Sequence, residues 1–413
     1  MRARRWALAW LGGLCAGLAG LAAQAATPDF SGQVRLVATD VQPSARGPLA
    51  QADALVPGLV ALPASSMVLA SELRGSASVF TLAGTLQQVA TRGSGSQGEG
   101  WVNELFTAGG AEAWQFSAGK RVVGWDVGQA YRPNDVVQQE VRRSLVSSTL
   151  EGRPLVMAEH FGATTAWSAV WVNPQKPRRQ RGAEEPALAL RAYQRDGAVD
   201  WHAFARWGGH TRGSLGAAVA WVPRDELEVH ASARWLTAAD TLAPAATPTL
   251  LAGTNPWQAS QATHTAQALL GGSWTTAEQL SLLAEAWWDG TALSNAQWAQ
   301  WGTRNRALAG SPAPASAVAG NLAWQASAFS AASNLRRSNL YARLSWTRES
   351  WQAALDLLFT PADHGHIVTA SLLWQGDRAR LEAGWRSHGG PAGALLSQVP
   401  TRRQAYLAGT WPF

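Results

Sequence analysis

Apolar and polar residues alternate with a period of two along much of the chain. In residues 227–235 the odd positions are Leu, Val, Ala, Ala and Trp, whereas the even positions are Glu, His, Ser and Arg. Residues 351–359 and 379–385 show a similar alternation. Successive side chains of a β-strand point to opposite faces, whereas a helix would need a period of about 3.6. The pattern therefore predicts strands with one apolar and one polar face.

Eighteen segments carry this pattern and are strand candidates. They are 28–39, 66–75, 78–90, 100–108, 112–122, 154–161, 164–173, 187–196, 198–208, 211–222, 226–236, 263–274, 277–288, 338–347, 350–360, 364–375, 378–387 and 402–413. The first two are the weakest, so a count of sixteen stays open. Tight connections tend to alternate with long ones, which are 174–186, 237–262, 290–337 and 389–401. This predicts an up-and-down meander, although 209–210 and 361–363 are shorter than the alternation requires.

Tryptophan marks the ends of many of these segments. In an up-and-down meander, twelve Trp residues of the apolar face fall at two levels. One level holds Trp114, Trp201, Trp221, Trp274, Trp346, Trp351, Trp374 and Trp411, and the other holds Trp207, Trp235, Trp288 and Trp385. The amphipathic indole favours the headgroup depth of a bilayer, so two such levels are typical of a transmembrane β-barrel. A soluble β-sandwich, the alternative, has no reason to produce them.

The composition agrees with a barrel in a membrane. Charged residues make up 15% of the chain, below the roughly 25% of soluble domains. Beyond the N-terminal region no run of about 18 apolar residues offers a transmembrane helix. The formal charge of +6 is too small to indicate nucleic-acid binding. The predicted fold class is therefore all-β, a transmembrane antiparallel up-and-down β-barrel of about 16–18 strands.

The N-terminus has the order of a secretory signal peptide. Arg2, Arg4 and Arg5 precede an apolar run over residues 6–23, which ends in Ala-Gln-Ala at 23–25. This order predicts cleavage after residue 25, and an uncleaved anchor is the alternative. Residues 1–25 would then be the signal peptide and residues 26–413 the barrel. Cys15 is the only cysteine, so the exported chain would contain no disulfide.

Residues 123–153 interrupt the strand pattern. Asn134 or Asp135 can cap a short helix, with Val137, Val141 and Leu145 on one face. Such a helix would lie either in an outer loop or inside the lumen, where it would narrow the barrel. The pattern favours the outer loop slightly, because a helix in a long loop needs no special purpose.

The end of the chain resembles the C-terminal signal of bacterial outer-membrane proteins. Residues 406–413 read Tyr-Leu-Ala-Gly-Thr-Trp-Pro-Phe, with apolar residues at alternate positions and a terminal Phe413. Pro412 departs from the usual pattern. The resemblance implies the outer membrane of a Gram-negative bacterium, with membrane lipid and lipopolysaccharide around the barrel and recognition of Phe413 by the barrel-assembly machinery.

A second resemblance concerns the interrupted region. Gly-Lys-Arg-Val-Val-Gly-Trp at 119–125, followed by Arg-Pro-Asn-Asp at 132–135, is similar to the passage from strand to inner loop in large porin-like and alginate-exporter-like barrels. It covers about 20 residues and names no substrate. The whole chain is thus identified as a porin-like outer-membrane barrel.

No pattern of residues indicates catalysis, a metal site or a cofactor. The Gly-x-Ser-x-Gly motif is missing, and no pair of histidines has a spacing typical of metal ligands beside a carboxylate. His364 and His366 flank Gly365 at the edge of a loop, where a surface pair is the simpler interpretation. The sequence therefore predicts no enzymatic activity.

The polar strand faces supply the candidate residues of a pore lining. They are Arg191, Arg195, Arg206, Glu228, Arg234, Arg343, Asp356, Arg378, Arg380, Glu382 and Arg386. Arginines outnumber carboxylates, so the lining could favour anionic solutes. The alternative for most of these residues is that they form salt bridges which stiffen the wall.

Two functions follow from this lining. The first is a pore for passive or selective diffusion of small solutes, which a barrel of 16–18 strands favours. The second is a non-conducting scaffold or export component that binds a partner through long loops such as 290–337, which holds Trp298 and Trp301. The solute itself is not indicated.

Overall fold

The computed structural model describes residues 28–140, 145, 149–177, 180–245 and 249–413. The expected signal peptide, residues 1–25, lies outside this part of the chain. Within the described ranges, no helix is long and apolar enough to cross a membrane.

The described chain is dominated by eighteen strands. They are β1 Asp29–Pro43, β2 Ser66–Ala77, β3 Phe80–Thr91, β4 Gly95–Ala111, β5 Trp114–Arg121, β6 Arg153–Phe161, β7 Thr165–Val172, β8 Ala187–Asp196, β9 Val199–Gly208, β10 Arg212–Arg224, β11 Leu227–Pro244, β12 Trp257–Thr275, β13 Leu280–Asp289, β14 Ser338–Arg348, β15 Trp351–Thr360, β16 Gly365–Gln375, β17 Arg380–Gly389 and β18 Thr401–Pro412. Strands form in both of the weakest candidate segments, so the count is eighteen rather than sixteen.

The strands form one closed barrel. Each pairs antiparallel with its neighbours in the chain, and β18 pairs with β1 over a register that includes Leu36 opposite Gly409. Closure leaves no sheet edge without hydrogen-bond partners, which is the condition for a β-structure to span hydrocarbon. The predicted all-β, up-and-down antiparallel barrel is confirmed.

The two ends of the barrel differ in their connections. We call the end where β1 begins and β18 stops the terminal end; there Gly32 and Phe413 exchange two backbone hydrogen bonds of 2.9 Å. All eight connections at this end have two to four residues. Those at the opposite end, the loop end, are 44–65, 92–94, 122–152, 173–186, 209–211, 245–256, 290–337, 361–364 and 390–400. Six of these nine connections are long. The other three are short: 209–211 and 361–364, where the sequence already predicted short connections, and 92–94.

The outer face of the barrel is apolar and carries the expected Trp residues. Eleven of the twelve Trp side chains assigned to the two levels are 40–54% exposed, and Trp374 is half-buried. Leu215, which pairs with Trp235, and Leu270 of β12 are 57% and 62% exposed. Exposed leucines with apolar residues around them on the same face are suited to lipid hydrocarbon.

The loop predicted over 237–262 is shorter than expected. Strands β11 and β12 continue past the alternating region and pair from Ala238 opposite Thr263 to Pro244 opposite Trp257. Residues 237–244 have no clear alternation, so their side chains gave no strand signal. Backbone hydrogen bonds to the partner strand hold them instead.

Three α-helices lie in the described parts of the loop-end connections. They are α1 Pro48–Leu55, α2 Asn295–Ala309 and α3 Ala315–Gln325. A capping box begins α2, since the Ser294 hydroxyl accepts from the Gln297 backbone N–H and the Gln297 side chain accepts from the Ser294 N–H. These connections pack together in what we call the loop cluster: Ala52, Trp257, Leu293, Trp298, Trp301, Leu308, Val318, Ala319, Leu322, Ala328, Ala331 and Leu395. Trp298 and Trp301 are each only 4% exposed, so neither is free to contact a partner.

Candidate functional site: the lumen

Part of the connection between β5 and β6 lies inside the barrel. We call residues 122–140 the inner segment. Val136 and Val137 are 1% and 0% exposed and pack against inward-facing residues of β6–β10, among them Val170 and Phe204. The outer-loop position that the sequence slightly favoured is therefore wrong for the inner segment, which fills the lumen beside these strands.

The short helix expected near residue 134 does not form in the described part of this connection. Residues 132–140 make turns, with only isolated helix-like bonds such as Gln139 N–H to Asp135 C=O. The Asp135 carboxylate accepts from the backbone N–H groups of Trp125 at 3.4 Å and Glu140 at 2.9 Å. These side-chain acceptors replace helical ones, as Asp commonly does in turns. Val141, one position of the predicted helix face, lies outside the described residues.

The tip of the inner segment is held by a carboxylate of β13. Glu285 accepts from the backbone N–H of Gln129 at 2.6 Å and of Ala130 at 2.8 Å. The same carboxylate lies 3.0 Å from His230 Nε2 of β11, and both side chains are fully buried. Glu285 thus has three hydrogen-bond partners inside the lumen, two of them on the inner segment.

Three more side chains of the segment and the wall hold residues 133–136. The Asn134 side-chain amide donates to the Ser232 hydroxyl at 2.9 Å and to a backbone carbonyl of β11. From the wall, Arg206 donates to the Val136 carbonyl at 2.8 Å and Arg234 to the Pro133 carbonyl at 3.1 Å. Charged donors and carbonyl acceptors at these distances fix the segment in one position.

Arg206 is also half of a buried ion pair. Its guanidinium lies 3.0 Å from the Glu185 carboxylate, and the two side chains are 2% and 0% exposed. Glu185 also accepts from the Thr211 backbone N–H at 2.6 Å and the Thr211 hydroxyl at 2.8 Å. Burial would raise the pKa of Glu185, but the hydrogen bonds from Thr211 and the His210 backbone, with the charge of Arg206, hold that pKa below its ordinary value. The pair therefore connects the loop end of the wall to the inner segment.

The carboxyls of the inner segment are affected by burial. Burial raises the pKa of Asp135 to about 6, although hydrogen bonds from the Glu140 and Trp125 backbone oppose the shift. Burial also raises the pKa of Asp126, with the Asn134 backbone N–H opposing it. The raised values follow from the loss of water around a charged group.

On the other side of the lumen only the tip of the inner segment reaches the wall. Ala130 and Tyr131 pack with Leu269 and Trp287, and Tyr341 and Leu358 lie against this cluster. A cavity of about 310 Å³ lies between the tip of the segment and strands β13–β17. Its lining is Gln129, Ala130, Leu283, Tyr341, Arg343, Asp356, Leu358, Ile367, Thr369 and Arg386. Arg343 lies 3.3 Å from Asp356, and Arg386 Nε donates to the Thr369 hydroxyl at 2.9 Å. Two guanidiniums and one carboxylate thus surround this space.

The remaining predicted lining residues lie near the terminal end, except Arg191, which is in the middle of β8. Arg380 pairs with Glu382 at 3.0 Å, and Tyr406 donates to the same carboxylate. Glu228 accepts from the Ser273 hydroxyl at 3.1 Å. On β8, the Arg191 guanidinium lies 5.5 Å from the centre of the Tyr193 ring, whereas Arg195 donates to the Gly197 carbonyl at 3.2 Å.

Arg378 differs from the other predicted lining residues. It is exposed in the turn that precedes β17, which begins at Arg380. The sequence extended the strand two residues too far because the alternation continues into the turn. Arg378 is therefore not a wall residue, and its place in a pore lining rested only on that extension.

The structure thus divides the predicted lining into two groups. Arg206 and Arg234 hold the inner segment, whereas Arg343, Asp356 and Arg386 border the cavity. The alternation puts Glu285 and His230 on the polar face of their strands but gives no reason to choose them as contacts of the inner segment. The sequence indicated Asn134 only as a possible helix cap. Among the described residues, no group of His, Cys, Asp and Glu could hold a metal ion.

Comparison with known proteins gives a likeness at the level of the fold. No family model and no curated protein matches the chain. The crystal structure of Pseudomonas aeruginosa OccK5 (OpdH) matches with a TM-score of 0.55 at 7% identity, covering 94% of this chain and 98% of that one. A double mutant of the Rh. blastica porin matches with a TM-score of 0.42 at 11% identity, covering 94% of this chain and 100% of that one. The chain therefore has a porin-like fold, a closed barrel of eighteen antiparallel strands.

Proposed function

We propose that this protein is an outer-membrane pore for the diffusion of small solutes, with a preference for anions. The observation that supports it best is the asymmetric lumen. Most of the inner segment lies against β6–β13, and a cavity bordered by the tip of the segment remains beside β13–β17. Barrels of 16–18 strands are wide enough for an aqueous channel unless something fills them. A segment held on one side narrows such a channel without needing to close it.

The preference for anions rests on the charges around the cavity. Arg343 and Arg386 stand against a single carboxylate, Asp356. Arg343 is 38% exposed along its side chain, so its charge can reach a passing solute. Charged side chains at a narrow point set the selectivity of a pore, and screening is weakest there.

The location in the outer membrane is part of the same proposal. The apolar outer face and the exposed Trp levels suit a bilayer, and the porin-like fold supports that location. The terminal end would then face the periplasm and the loop end the exterior. Membrane lipid and lipopolysaccharide would surround the wall, and the barrel-assembly machinery would recognise Phe413.

The test is single-channel recording of the purified protein in a planar bilayer. Ohmic conductance is expected, with a reversal potential in a salt gradient that indicates anion preference. The double variant Arg343→Gln, Arg386→Gln should shift that potential toward cations. Arg378→Gln, in the exposed turn, removes one positive charge away from the cavity and should leave the potential unchanged. Absence of conductance would overturn the pore, and an unchanged potential in the double variant would overturn the preference.

One observation favours the alternative, a barrel that binds a partner without conducting. The loop cluster joins the connections that follow β1, β13 and β17, so the loop end has a packed surface of its own. A partner would have to contact the outside of this cluster, since Trp298 and Trp301 are buried within it. Lack of conductance by a barrel that is shown to be folded would favour this alternative.

A further inference from the structure

One side of the loop end is rich in arginine and lacks available carboxylates. Residues 290–348, which comprise the connection after β13 and the strand β14, include six arginines and no aspartate or glutamate. The carboxylates of β13 and of the connection after β15 are both engaged. Asp289 is 0% exposed and accepts from the Asn334 side-chain amide at 2.7 Å, whereas Asp363 pairs with Arg336 at 2.9 Å. The charge on the outside of this region is therefore positive.

Arg337 stands on the outer side of this region. It immediately precedes β14, and its guanidinium lies 5.9 Å from the centre of the Trp288 ring, which is 45% exposed on the outer face. Its Nε donates to the Ala292 carbonyl at 3.0 Å, and among the described residues its two NH₂ groups have no partner. A guanidinium oriented by one hydrogen bond and one ring, with its other N–H donors unused, is suited to bidentate binding of an anion.

Two histidines lie on the same outer side, on β16 and in the turn before it. His364 is exposed, and its ring stacks on Phe359 at 6.1 Å. His366 pairs with Phe359 on one side and with Gly389 on the other, where a Cβ would come within 2.5 Å of the imidazole Nε2. An imidazole offers an N–H donor in either protonation state. We call Arg337, His364 and His366 the donor cluster.

Below the donor cluster the outer wall of β14 and β15 is apolar. Leu340 pairs with Phe359, and Leu344 pairs with Leu355. The side chains of Leu340, Leu344, Leu355 and Leu357 are 42–51% exposed. Exposed leucines in successive rows of the wall suit acyl chains. Hydrogen-bond donors above a hydrocarbon surface are the arrangement that a lipid with an anionic headgroup would occupy.

We propose that the donor cluster binds the phosphate groups of lipopolysaccharide, with the acyl chains along the leucines of β14 and β15. This rests on the proposed location in the outer membrane, because the loop end then meets the outer leaflet, where lipopolysaccharide lies. Strands β14 and β16 are two spacings apart, about 10 Å. Lipid A, the acylated disaccharide of lipopolysaccharide, has a phosphate at each end, so one molecule can contact Arg337 and both histidines. Phosphatidylglycerol has a single phosphate, and free phosphate would not use the leucines.

The experiment titrates the delipidated barrel in mild detergent with defined lipids and detects the complexes by native mass spectrometry. Lipid A should bind the wild type more tightly than dephosphorylated lipid A or phosphatidylglycerol does. Arg337→Gln and the double variant His364→Gln, His366→Gln are independent changes. Each should weaken binding of lipid A about tenfold or more, because hydrogen bonds to an ionised group are lost. Each variant must show the heat-dependent gel shift of a folded barrel.

The matched control is an arginine at the other end of the same strand. Arg348 ends β14 at the terminal end, and its guanidinium lies 6.0 Å from the centre of the Trp346 ring. Arg348→Gln should therefore leave the affinity for lipid A unchanged. Equal binding of dephosphorylated lipid A or phosphatidylglycerol would overturn the inference, as would full displacement of lipid A by millimolar inorganic phosphate. Wild-type affinity in both cluster variants, or an equal loss in Arg348→Gln, would overturn it as well.

Copurification from cells examines the same site in the membrane. The amount of lipopolysaccharide retained after extraction in mild detergent should fall in both cluster variants and stay at the wild-type level in Arg348→Gln. Equal retention in all of these proteins would contradict the inference. The titration does not depend on conductance, and fractionation with outer membranes tests the location separately. Failure of the donor cluster is therefore distinguishable from failure of the proposed pore.

Discussion

The contact between Glu285 and the tip of the inner segment leads to a quantitative prediction. In Glu285→Gln the side chain keeps one oxygen, so an NH₂ group faces one of the two backbone N–H groups that the carboxylate accepted, at 2.6 Å and 2.8 Å. A hydrogen bond to an ionised group contributes about 1.5–3 kcal/mol net. At 1.36 kcal/mol per tenfold change, the open population of the tip should rise about 10- to 150-fold.

Labelling of a thiol at the tip measures this population. Ala130 is 9% exposed, and Cys15 is the only native cysteine, in the expected signal peptide. Ala130→Cys should therefore react with a maleimide only when the tip leaves the wall. Its labelling rate should rise by the stated factor in the Glu285→Gln background.

The matched control is a second carboxylate beside the same histidine. Glu228 lies 3.5 Å from His230 and accepts from Ser273, but it holds no residue of the inner segment. Glu228→Gln should therefore leave the labelling rate at position 130 unchanged. Equal rates in Glu285→Gln and the parent would refute the role of Glu285, and an equal rise in both variants would mean that the charge around His230 matters rather than the bonds to the tip.

Three further predictions concern other contacts of the barrel. The pKa of Asp135 is raised to about 6, against 3.8 for the free side chain, so packing of the inner segment is strongest below about pH 4 and weakens as the pH rises through 6. The labelling rate of a cysteine at position 130, normalised to that of an exposed cysteine at position 58, should therefore increase from pH 5 to 8. The substitution Asp135→Asn should flatten that increase. Arg206→Ala leaves Glu185 buried without its cation and should destabilise the barrel by about 3–5 kcal/mol, measured as a lower midpoint temperature of the heat-dependent gel shift. The double variant Arg206→Met, Glu185→Gln should recover most of this loss. A midpoint temperature equal to that of the wild type in Arg206→Ala would contradict the prediction. Deletion of Phe413 removes both backbone bonds to Gly32 and should lower the amount of assembled barrel in the membrane without reducing export, and normal assembly would show that the terminal residue is dispensable.

The sequence by itself determined the strands and their two faces. Alternation with a period of two is a local property, and the side chains of residues 227–235 or 351–359 display it without reference to any other part of the chain. Trp at segment ends marked the levels of the bilayer because the indole responds to its depth in the membrane rather than to a particular neighbour. For this reason the barrel class, the up-and-down order and the outward position of Trp207 and Trp351 were predictable.

The distribution of residues around the barrel needed the closed sheet. Trp411 and Trp114 lie about three hundred positions apart in the sequence, and only the pairing of β18 with β1 closes the sheet so that four strands separate them. The extension of β11 and β12 past residue 236 likewise depends on backbone pairing, which leaves no mark on the side-chain pattern.

The path of the inner segment was decided by tertiary contacts alone. The spacing of Val137, Val141 and Leu145 indicates a helix only when neighbours along the chain are considered. Glu285 is 156 positions from Gln129, and Ser232 is 98 positions from Asn134. These distant residues accept hydrogen bonds from the Gln129 backbone N–H and the Asn134 side-chain amide, which in a local helix or turn would have partners nearby in the chain. A buried polar group must find a partner wherever the fold provides one, and that requirement, not local propensity, places residues 122–140 inside the lumen.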